Sequence, residues 1–245
     1  KSKNTQPDLF GGQLSLFEEK VTLSTPKSVT LQGNLFEEFT AEGQGDEKKS
    51  ILKSLKTINS DYQLIDTEEK RRELYEILIT SKILALDTET TSTDPIDAEL
   101  VGMSFSIKEN QAFYVPVPPN YDEAQKIVKE FQPIFENEEI LKVGQNMKYD
   151  LLVLDNYGVE LRGPMFDTMI AHYVLQPELR HNMDYLAEIY LNYETIRIEE
   201  LIGAKGKNQG NMRDLPAEAV YQYACEDADV TLKLKNILEK ELEAN

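Results

Sequence analysis

The chain has 245 residues, with 44 acidic and 26 basic side chains and a formal net charge of −18. Hydrophobic residues make up 40% and charged residues 29%, a balance that is typical of a globular domain and excludes a wholly disordered chain. No apolar run approaches the roughly 20 residues of a membrane span, and no signal-peptide pattern is present. The single cysteine, Cys225, excludes an internal disulfide framework and a cysteine-rich zinc site, and it favours a reducing, intracellular compartment.

The acidic excess lies outside the first 60 residues. Residues 1–60 hold 8 lysines and 8 acidic residues, so residues 61–245 carry the whole charge of −18. A surface this acidic argues against binding to nucleic acid through lysine and arginine alone. Two interpretations remain open: the acidic groups only keep the protein soluble, or some of them act on a polyanion through bound metal cations.

The N-terminal segment differs in composition from the rest of the chain. Residues 1–60 are predicted to be a flexible linker or tail, since the first 50 are rich in Gln, Gly, Ser, Thr and Lys and show no sustained helical or strand period. A Gln-x-x-Leu-Phe pattern recurs there, at Gln6–Phe10, Gln13–Phe17 and Gln32–Phe36. Because the first residue is Lys1 rather than methionine, we expect the chain to be a piece of a longer protein.

The remainder, residues 61–245, has the periodicity of one folded α/β domain. Spacing and end signals predict helices over 67–81 (capped by Thr67), 122–137, 148–157, 166–175 and 186–190, and a last helix after Pro216 that includes 221–238. Apolar runs predict strands over 83–87, 100–107, 111–117 and 141–144, and residues 204–211 are predicted to form a loop. Strands that come early and are followed by helices predict a mixed central sheet flanked by helices.

Two carboxylates stand at the end of the first predicted strand. Asp87 and Glu89 are two residues apart, so an extended chain points both side chains to one face. Two carboxylates this close repel each other unless a cation lies between them, and oxygen ligands of this kind suit Mg²⁺ or Mn²⁺. The alternative is a strand that ends in a solvated acidic turn, and this short motif alone does not decide between the two.

Two further carboxylates occur beside polar or aromatic partners. Tyr223 and Asp227 are four residues apart, hence on one face of the last predicted helix, where a phenol can position a water near a metal-binding carboxylate. Asp150 closes a segment in which Asn146 and Tyr149 add an amide and an aromatic ring. The alternative for Tyr223 and Asp227 is a buried tyrosine beside a capping acid.

Other polar residues in these segments are expected to be structural. Asp167 has the position of an N-cap for the predicted helix over 166–175. Glu226 and Asp229 are expected to face solvent, with Glu226 the better candidate of the two for a structural role. The two histidines, His172 and His181, lack partners at zinc-ligand spacing, so a zinc site is not expected there.

Four segments carry a resemblance to a known family. They are Leu86-Asp-Thr-Glu-Thr90, Val143-Gly-Gln-Asn-Met-Lys-Tyr-Asp150, Leu161-Arg-Gly-Pro-Met-Phe-Asp-Thr-Met169 and Tyr223-Ala-Cys-Glu-Asp-Ala-Asp-Val-Thr-Leu232. Together they resemble the exonuclease motifs of the DEDDy branch of the DEDD superfamily, and most closely the proofreading domain of bacterial family A DNA polymerases, the DNA polymerase I family. The resemblance covers roughly residues 64–240, and all four acidic positions and the tyrosine are present.

The resemblance implies a ribonuclease H-like fold and hydrolysis of the 3′-terminal phosphodiester of single-stranded or frayed DNA with two divalent metal ions. These would be Mg²⁺ or Mn²⁺, with Zn²⁺ as an alternative at one position. By this resemblance Asp87, Glu89 and Asp227 hold the first ion. Asp87 and, through water, Asp150 hold the second, and Tyr223 orients the attacking water. The residues implied to contact the substrate are Gln145, Asn146, Tyr149 and Arg180.

The resemblance also implies partners outside this chain. It identifies the chain as the proofreading part of a longer DNA polymerase, without a polymerase module of its own, in the bacterial cytoplasm at the nucleoid. Gln13–Phe17 is similar to the short peptide by which bacterial polymerases and repair proteins bind the sliding clamp, and Gln6–Phe10 and Gln32–Phe36 are looser copies. The other interpretation of these repeats is a low-complexity linker, or segments that pack on the chain's own domain.

Two other functions remain open at this stage. A ribonuclease D-like enzyme that trims RNA shares the same acidic residues and tyrosine, although the residues around Asp150 and Asp167 favour the polymerase family. The third alternative is a non-catalytic domain that only positions a polymerase, and the complete set of metal ligands counts against it.

Overall fold

A six-stranded mixed sheet lies at the centre of the computed structural model, which describes residues 52–244. Its strands are β1 (Asp61–Leu64), β2 (Ile83–Thr90), β3 (Leu100–Lys108), β4 (Gln111–Pro116), β5 (Leu141–Gly144) and β6 (Met165–Asp167). They lie in the order β1-β4-β3-β2-β5-β6. β3 is antiparallel to both of its neighbours, whereas the β1–β4, β2–β5 and β5–β6 pairs are parallel. The predicted mixed sheet is therefore confirmed.

Helices cover both faces of this sheet. They are α1 (Glu68–Leu78), α2 (Tyr121–Glu130), α3 (Gln132–Phe135), α4 (Met147–Asp155), α5 (Thr168–Leu175), α6 (Met183–Leu191), α7 (Ile198–Ile202) and α8 (Ala217–Ala244). The side chain of Thr67 caps α1 by accepting a hydrogen bond from the Lys70 N–H, which is the predicted role. None of the helices within residues 52–244 is long and apolar enough to cross a membrane.

The pleat of the strands divides the core into two layers. Leu84 and Leu86 of β2 point to the face covered by α1–α4, whereas Ala85, between them, points to the opposite face. The first layer holds the larger core, including Phe105, whose ring lies 5.4 Å from that of Phe131. α8 crosses the opposite face, and α5 and α6 pack against α8. Alternation along β2 therefore fixes which of its side chains face α8.

The predicted helix over 122–137 is wrong in one respect, because the chain forms two helices that meet at Phe131. Pro133 has no N–H group, so it cannot donate the hydrogen bond that would continue α2. The Phe131 N–H bonds to the Val128 carbonyl at 3.1 Å, which tightens the last turn of α2 and lets α3 begin in a new direction.

The sequence patterns do not predict the short elements β1, β6 and α7. They have four, three and five residues, a length at which a helical or strand period is rarely recognisable. Long-range pairing explains the two strands, since β1 extends the sheet beside β4 and β6 extends it beside β5. Their formation depends on neighbours that are distant in sequence, which a local pattern does not reveal.

Residues 1–51 lie outside the described part of the chain, and with them all three Gln-x-x-Leu-Phe segments. Residues 52–60, which the sequence patterns assign to the tail, are attached to the domain. The Lys53 N–H bonds to the Asn192 carbonyl at 2.9 Å, and the Lys53 carbonyl accepts from the Glu194 N–H at 2.8 Å. The described domain thus includes a short segment that precedes residue 61.

Candidate active site

Three carboxylates from two separate elements converge in a cleft beside the sheet. Asp87 and Glu89 come from β2 and share the face of Ala85, so they point toward α8, which supplies Asp227. One carboxylate oxygen of each residue lies within 4.8 Å of the other two. The register between β2 and β3 shifts between Glu89 and Thr90, so the regular pairing is interrupted beside this group. The structure thus brings together three of the four acids that the sequence singles out.

Tyr223 lies one helical turn before Asp227 and lines the same cleft. Burial, followed by the charges of Asp227, Glu89 and Asp87, raises the pKa of its phenol well above the ordinary value. A hydrogen bond to the Asp227 carboxylate acts in the same direction. Tyr223 is therefore a protonated hydrogen-bond donor at the edge of the acidic group.

Asp150 approaches from the other side of β2 and lies outside the three-carboxylate group. Its side chain is buried on α4, and its Oδ1 accepts a hydrogen bond of 2.6 Å from the Thr88 hydroxyl. Thr88 stands between Asp87 and Glu89 in the strand, so its side chain points to the α4 face. The charge of Asp150 nevertheless raises the pKa of both Asp87 and Glu89, which shows that the four acids are electrostatically linked.

Burial and mutual repulsion disfavour the ionised forms of these carboxyl groups. Loss of hydration raises the pKa of Asp87, Glu89 and Asp227 well above their usual values, and neighbouring acids add to each shift. The pKa of Asp150 rises to about 7, because loss of hydration outweighs the hydrogen bonds from Thr88 and the backbone. A cation bound among the carboxylates would favour their ionised forms and offset this repulsion.

The donor set fits a hard divalent cation. All ligand atoms of the group are carboxylate oxygens, which Mg²⁺ and Mn²⁺ prefer. Oε1 of Glu89 is buried and has no hydrogen-bond partner among the described residues. Such an unpartnered oxygen is unfavourable, and a cation in the group would satisfy it. Within residues 52–244, no other group of three or more His, Cys, Asp or Glu side chains has this arrangement.

The prediction that Glu226 and Asp229 face solvent is wrong, since both side chains are buried. Glu226 accepts hydrogen bonds of 2.6 Å from the Tyr193 hydroxyl and from the Ile196 N–H. Both donors belong to the segment that follows α6, about 30 residues earlier in the chain. The structural role expected for Glu226 is therefore fulfilled inside the fold, on the side of α8 that faces this segment.

Asp229 holds α8 through a second set of contacts. It accepts hydrogen bonds from the Tyr62 hydroxyl at 2.6 Å, the Asn110 N–H at 2.7 Å and the Lys233 ammonium group at 2.7 Å. Asn110 adopts a φ of 63° in the turn between β3 and β4, which aims its N–H at α8. Glu226 and Asp229 together fix the rotation of α8 about its axis, and so they direct the side chain of Asp227 toward β2.

Asp167 holds the N-termini of two helices at once. Its carboxylate accepts from the N–H groups of Met169 and Ile170 at the start of α5, at 2.9 and 3.3 Å, which confirms the predicted N-cap. It also accepts from the N–H groups of Asn146 and Met147 at the start of α4, at 3.2 and 2.9 Å. Asp167 therefore positions α4, the helix that brings the fourth acid to the site.

The acidic group opens into a cleft of about 630 Å³, a size that suits a small organic ligand or a nucleotide. Two of the four predicted substrate contacts, Asn146 and Tyr149, line it. The Tyr149 hydroxyl is hydrogen bonded to the Thr90 hydroxyl and the Ser92 carbonyl, which fixes the orientation of its ring. Asn146 begins α4 in a left-handed conformation with a φ of 60°.

The other two predicted contacts, Gln145 and Arg180, are not among the residues that line the cleft. The Gln145 carboxamide is used within the fold: its Nε2 donates to the His181 carbonyl at 2.7 Å, and its Oε1 accepts from the Thr168 hydroxyl. Gln145 thus ties the start of α4 to α5 and to the connection that follows it. Arg180 is exposed in that same connection, between α5 and α6.

One wall of the cleft comes from α7 and the segment after it, which the motifs leave out. Ile198, Glu199 and Ile202 line the cleft from α7, and Lys205 and Gln209 line it from the following segment. A five-residue helix gives no usable period in the sequence. The available signal is the Gly- and Lys-rich composition of 204–211, which predicts a loop but gives no indication of where the loop packs.

The two histidines form a pair of their own. Their Nδ1 atoms are 2.7 Å apart, and the ring of His172 also packs edge-on against Tyr185 and Tyr190. Burial, followed by the neighbouring His181, lowers the pKa of His172. Cys225 has a packing role, since its side chain is buried in a core cluster between α8 and the sheet.

Comparison with protein families identifies the domain. Residues 62–243 match the family model described as 3′-5′ exonuclease. The chain belongs to the 3′–5′ exonuclease family. This exonuclease domain is 33% identical over 244 residues to DNA polymerase I of Borreliella burgdorferi, covering 94% of this chain and 26% of that protein. It is 42% identical over 173 residues to DNA polymerase I of Pseudomonas aeruginosa, covering 67% of this chain and 19% of that protein. The chain thus spans about a quarter or less of these relatives.

Solved structures of other nucleases share the fold of the exonuclease domain. Escherichia coli RNase D, an exoribonuclease involved in structured RNA processing, superimposes with a TM-score of 0.59 and 22% identity, over 75% of this chain and 46% of that chain. Brucella melitensis NrnC with bound Mg²⁺ gives a TM-score of 0.57 and 20% identity, over 76% and 83% of the two chains. The ribonuclease H-like fold implied by the motifs is therefore confirmed.

Proposed function

We propose that the exonuclease domain removes nucleotides from the 3′ end of single-stranded or frayed DNA, in a reaction that depends on divalent metal ions. The observation that carries the proposal is the group of Asp87, Glu89 and Asp227, whose oxygens lie within 4.8 Å of one another and include a buried oxygen without a partner. Similarity to two proteins named DNA polymerase I supports DNA as the substrate.

Each residue of the site has a proposed role. Asp87, Glu89 and Asp227 would hold a first Mg²⁺ or Mn²⁺ ion, with Zn²⁺ as an alternative at one position, and Asp87 and, through water, Asp150 would hold a second ion. When bound, such ions lower the pKa of a coordinated water and stabilise negative charge on the phosphodiester oxygens. Tyr223, which stays protonated, would orient the attacking water through its hydroxyl.

The terminal nucleotide would occupy the cleft beside α4. Tyr149 presents a ring whose orientation is fixed by its hydroxyl, and stacking of a base on such a ring contributes about 1–3 kcal/mol. Asn146 offers its amide from the same wall. Gln145 would act indirectly, since its carboxamide holds α4 in place, and the exposed Arg180 would contact a phosphate further from the 3′ end.

A comparison of DNA with RNA tests this function. Single strands of identical base sequence, labelled at the 5′ end, are incubated with Mg²⁺ or Mn²⁺, and the expected result is a ladder that shortens from the 3′ end and is faster for DNA. The fold shared with E. coli RNase D favours RNA trimming as the second candidate, and faster degradation of RNA would select it. No release from either strand would select the non-catalytic alternative.

We further propose that the domain is the proofreading part of a longer DNA polymerase in the bacterial cytoplasm, at the nucleoid, where a polymerase module supplies the 3′ end. Gln13–Phe17 would bind the sliding clamp, with Leu and Phe as apolar anchors and Gln setting the register. A peptide of residues 8–22 can be titrated against the clamp of the same organism. An affinity that is unchanged by Leu16→Ala and Phe17→Ala would leave this segment as a spacer.

A further inference from the structure

The residues that line the cleft include several acidic side chains and one basic side chain. Among the described residues that line it, the carboxylates are Asp87, Glu89, Glu199 and Asp227, and the only basic side chain is that of Lys205. A nucleic acid strand adds about one negative charge per nucleotide. Bound metal ions would offset the charge only at the three-carboxylate group, whereas Lys205 lies on another wall of the same cleft.

The backbone around Lys205 is shaped to hold it at this wall. Gly203 and Gly206, on either side of it, have backbone φ angles of 86° and 152°, which residues other than glycine rarely adopt. The Gly210 N–H bonds to the Ile202 carbonyl at 2.7 Å, which closes the segment into a loop on the end of α7. Lys205 is thus presented by a closed loop rather than by an open connection.

The same loop is attached to the strand that carries two of the acids. Nδ2 of Asn211 donates to the Thr91 carbonyl, directly after β2, at 3.0 Å. Lys205 is exposed and takes part in none of the ion pairs formed within residues 52–244. Lys207, two residues later, is equally exposed but does not line the cleft. The two lysines of the loop therefore differ in their relation to the site.

We propose that Lys205 is a substrate-binding residue of the exonuclease that contacts a backbone phosphate of the single strand from the α7 side of the cleft. The inference rests on the proposed function, in which the strand is a nucleic acid. A lysine is a compact charge on a flexible stem, so it binds phosphate without reading the base. Because that phosphate is present before and during the chemical step, the contact contributes to binding of the strand more than to the rate of hydrolysis.

Three variants of the whole chain test this proposal: Lys205→Gln, Lys205→Arg and the matched control Lys207→Gln. Release of the 3′ nucleotide from a single DNA strand is measured at a fixed Mn²⁺ concentration over a series of KCl concentrations. Lys205→Gln should raise KM about fivefold, at the upper end of the effect of an exposed ion pair, and leave kcat within about twofold. It should also reduce the slope of log KM against log salt by about 0.7, the value for one contact with a single strand. Lys205→Arg should keep the wild-type slope, and Lys207→Gln should behave as the wild type.

A binding measurement separates this proposal from the proposed function. Fluorescence anisotropy of a labelled strand is recorded in an Asp227→Asn background, where the strand is not consumed, and Lys205→Gln should lower the affinity and the salt slope there as well. Equal effects of Lys205→Gln and Lys207→Gln would show a general effect of charge and overturn the proposal. A change in kcat or in the Mn²⁺ requirement with an unchanged salt slope would also overturn it. A wild-type domain that does not hydrolyse DNA would refute the function, while the anisotropy still decides the role of Lys205.

Discussion

Replacement of Asp150 by asparagine should stabilise the metal-free domain at alkaline pH. The carboxyl group is buried, and its pKa rises to about 7 from an ordinary value of 3.8. Below about pH 4 the group is protonated in both the folded and the unfolded states. Between about pH 4 and pH 7 the unfolded chain loses this proton while the folded domain keeps it, so the free energy of unfolding falls across this window and stays low above it.

The size of the effect follows from the shift in pKa. At 1.36 kcal/mol per pKa unit, ionised Asp150 lowers the free energy of unfolding by on the order of 4 kcal/mol above pH 8. Asparagine removes the charge and still accepts the Thr88 hydrogen bond through its Oδ1, so the substitution leaves no hydroxyl unpaired. In a domain of this size 1 kcal/mol corresponds to roughly 2–4 °C, so 4 kcal/mol should raise the melting temperature by roughly 8–16 °C.

Thermal melting in the presence of a chelator, at pH 5 and pH 8.5, measures this effect. The wild-type domain should lose stability between the two pH values, and Asp150→Asn should lose less. Asp155→Asn, which changes an exposed acid on the same helix, should behave as the wild type. Added Mn²⁺ should reduce the difference in melting temperature between Asp150→Asn and the wild type at pH 8.5, because an ion that binds only the folded state stabilises the intact site. A wild-type melting temperature that is equal at both pH values, or a variant that is less stable than the wild type at pH 8.5, would refute the reasoning.

Three further predictions concern residues around the acids. Tyr223→Phe should keep the melting temperature and slow nucleotide release by about tenfold, the effect of one lost hydrogen bond of about 1.5 kcal/mol; an unchanged rate would exclude a role in positioning water. Asp167→Ala should lower the free energy of unfolding in urea by roughly 2–4 kcal/mol, since two helices lose their N-cap, and a loss under about 1 kcal/mol would contradict the double cap. Glu226→Ala should lower the free energy of unfolding by about 3 kcal/mol, because it leaves the Tyr193 hydroxyl and the Ile196 N–H unpaired. Stability equal to that of the wild type would show that Glu226 does not anchor α8.

The parts of the site that sequence reasoning could predict depend on local spacing. Asp87 and Glu89 share a strand face, and Tyr223 and Asp227 share a helix face, so each pair is oriented by the backbone alone. The N-cap role of Asp167 toward α5 is equally local. The convergence of the two pairs is not local: resemblance to a family predicts it, and the spacing of the residues does not.

The parts that could not be predicted depend on partners that are distant in sequence. Asp229 is paired with Tyr62, which lies 167 residues away, so no local pattern indicates that this acid is buried. Gln145 has the residue type of a substrate contact, but its Nε2 donates a hydrogen bond to the His181 carbonyl, 36 residues further along the chain. The break of the predicted helix at Phe131 is different, since Pro133 was present in the sequence as a local signal.

The central claim is that the carboxylates of Asp87, Glu89 and Asp227 bind the metal ions that support removal of 3′ nucleotides. Its most direct test is the Mn²⁺ dependence of nucleotide release from a 5′-labelled single strand by the wild type, Asp87→Asn, Glu89→Gln, Asp227→Asn and the control Asp155→Asn. The wild type and the control should release nucleotides in proportion to bound ion and stop when a chelator is added. The other three variants should be slower by more than about a hundredfold while melting at no lower a temperature in chelator. Release that persists in chelator, or that continues at the wild-type rate in any of the three variants, would contradict the account.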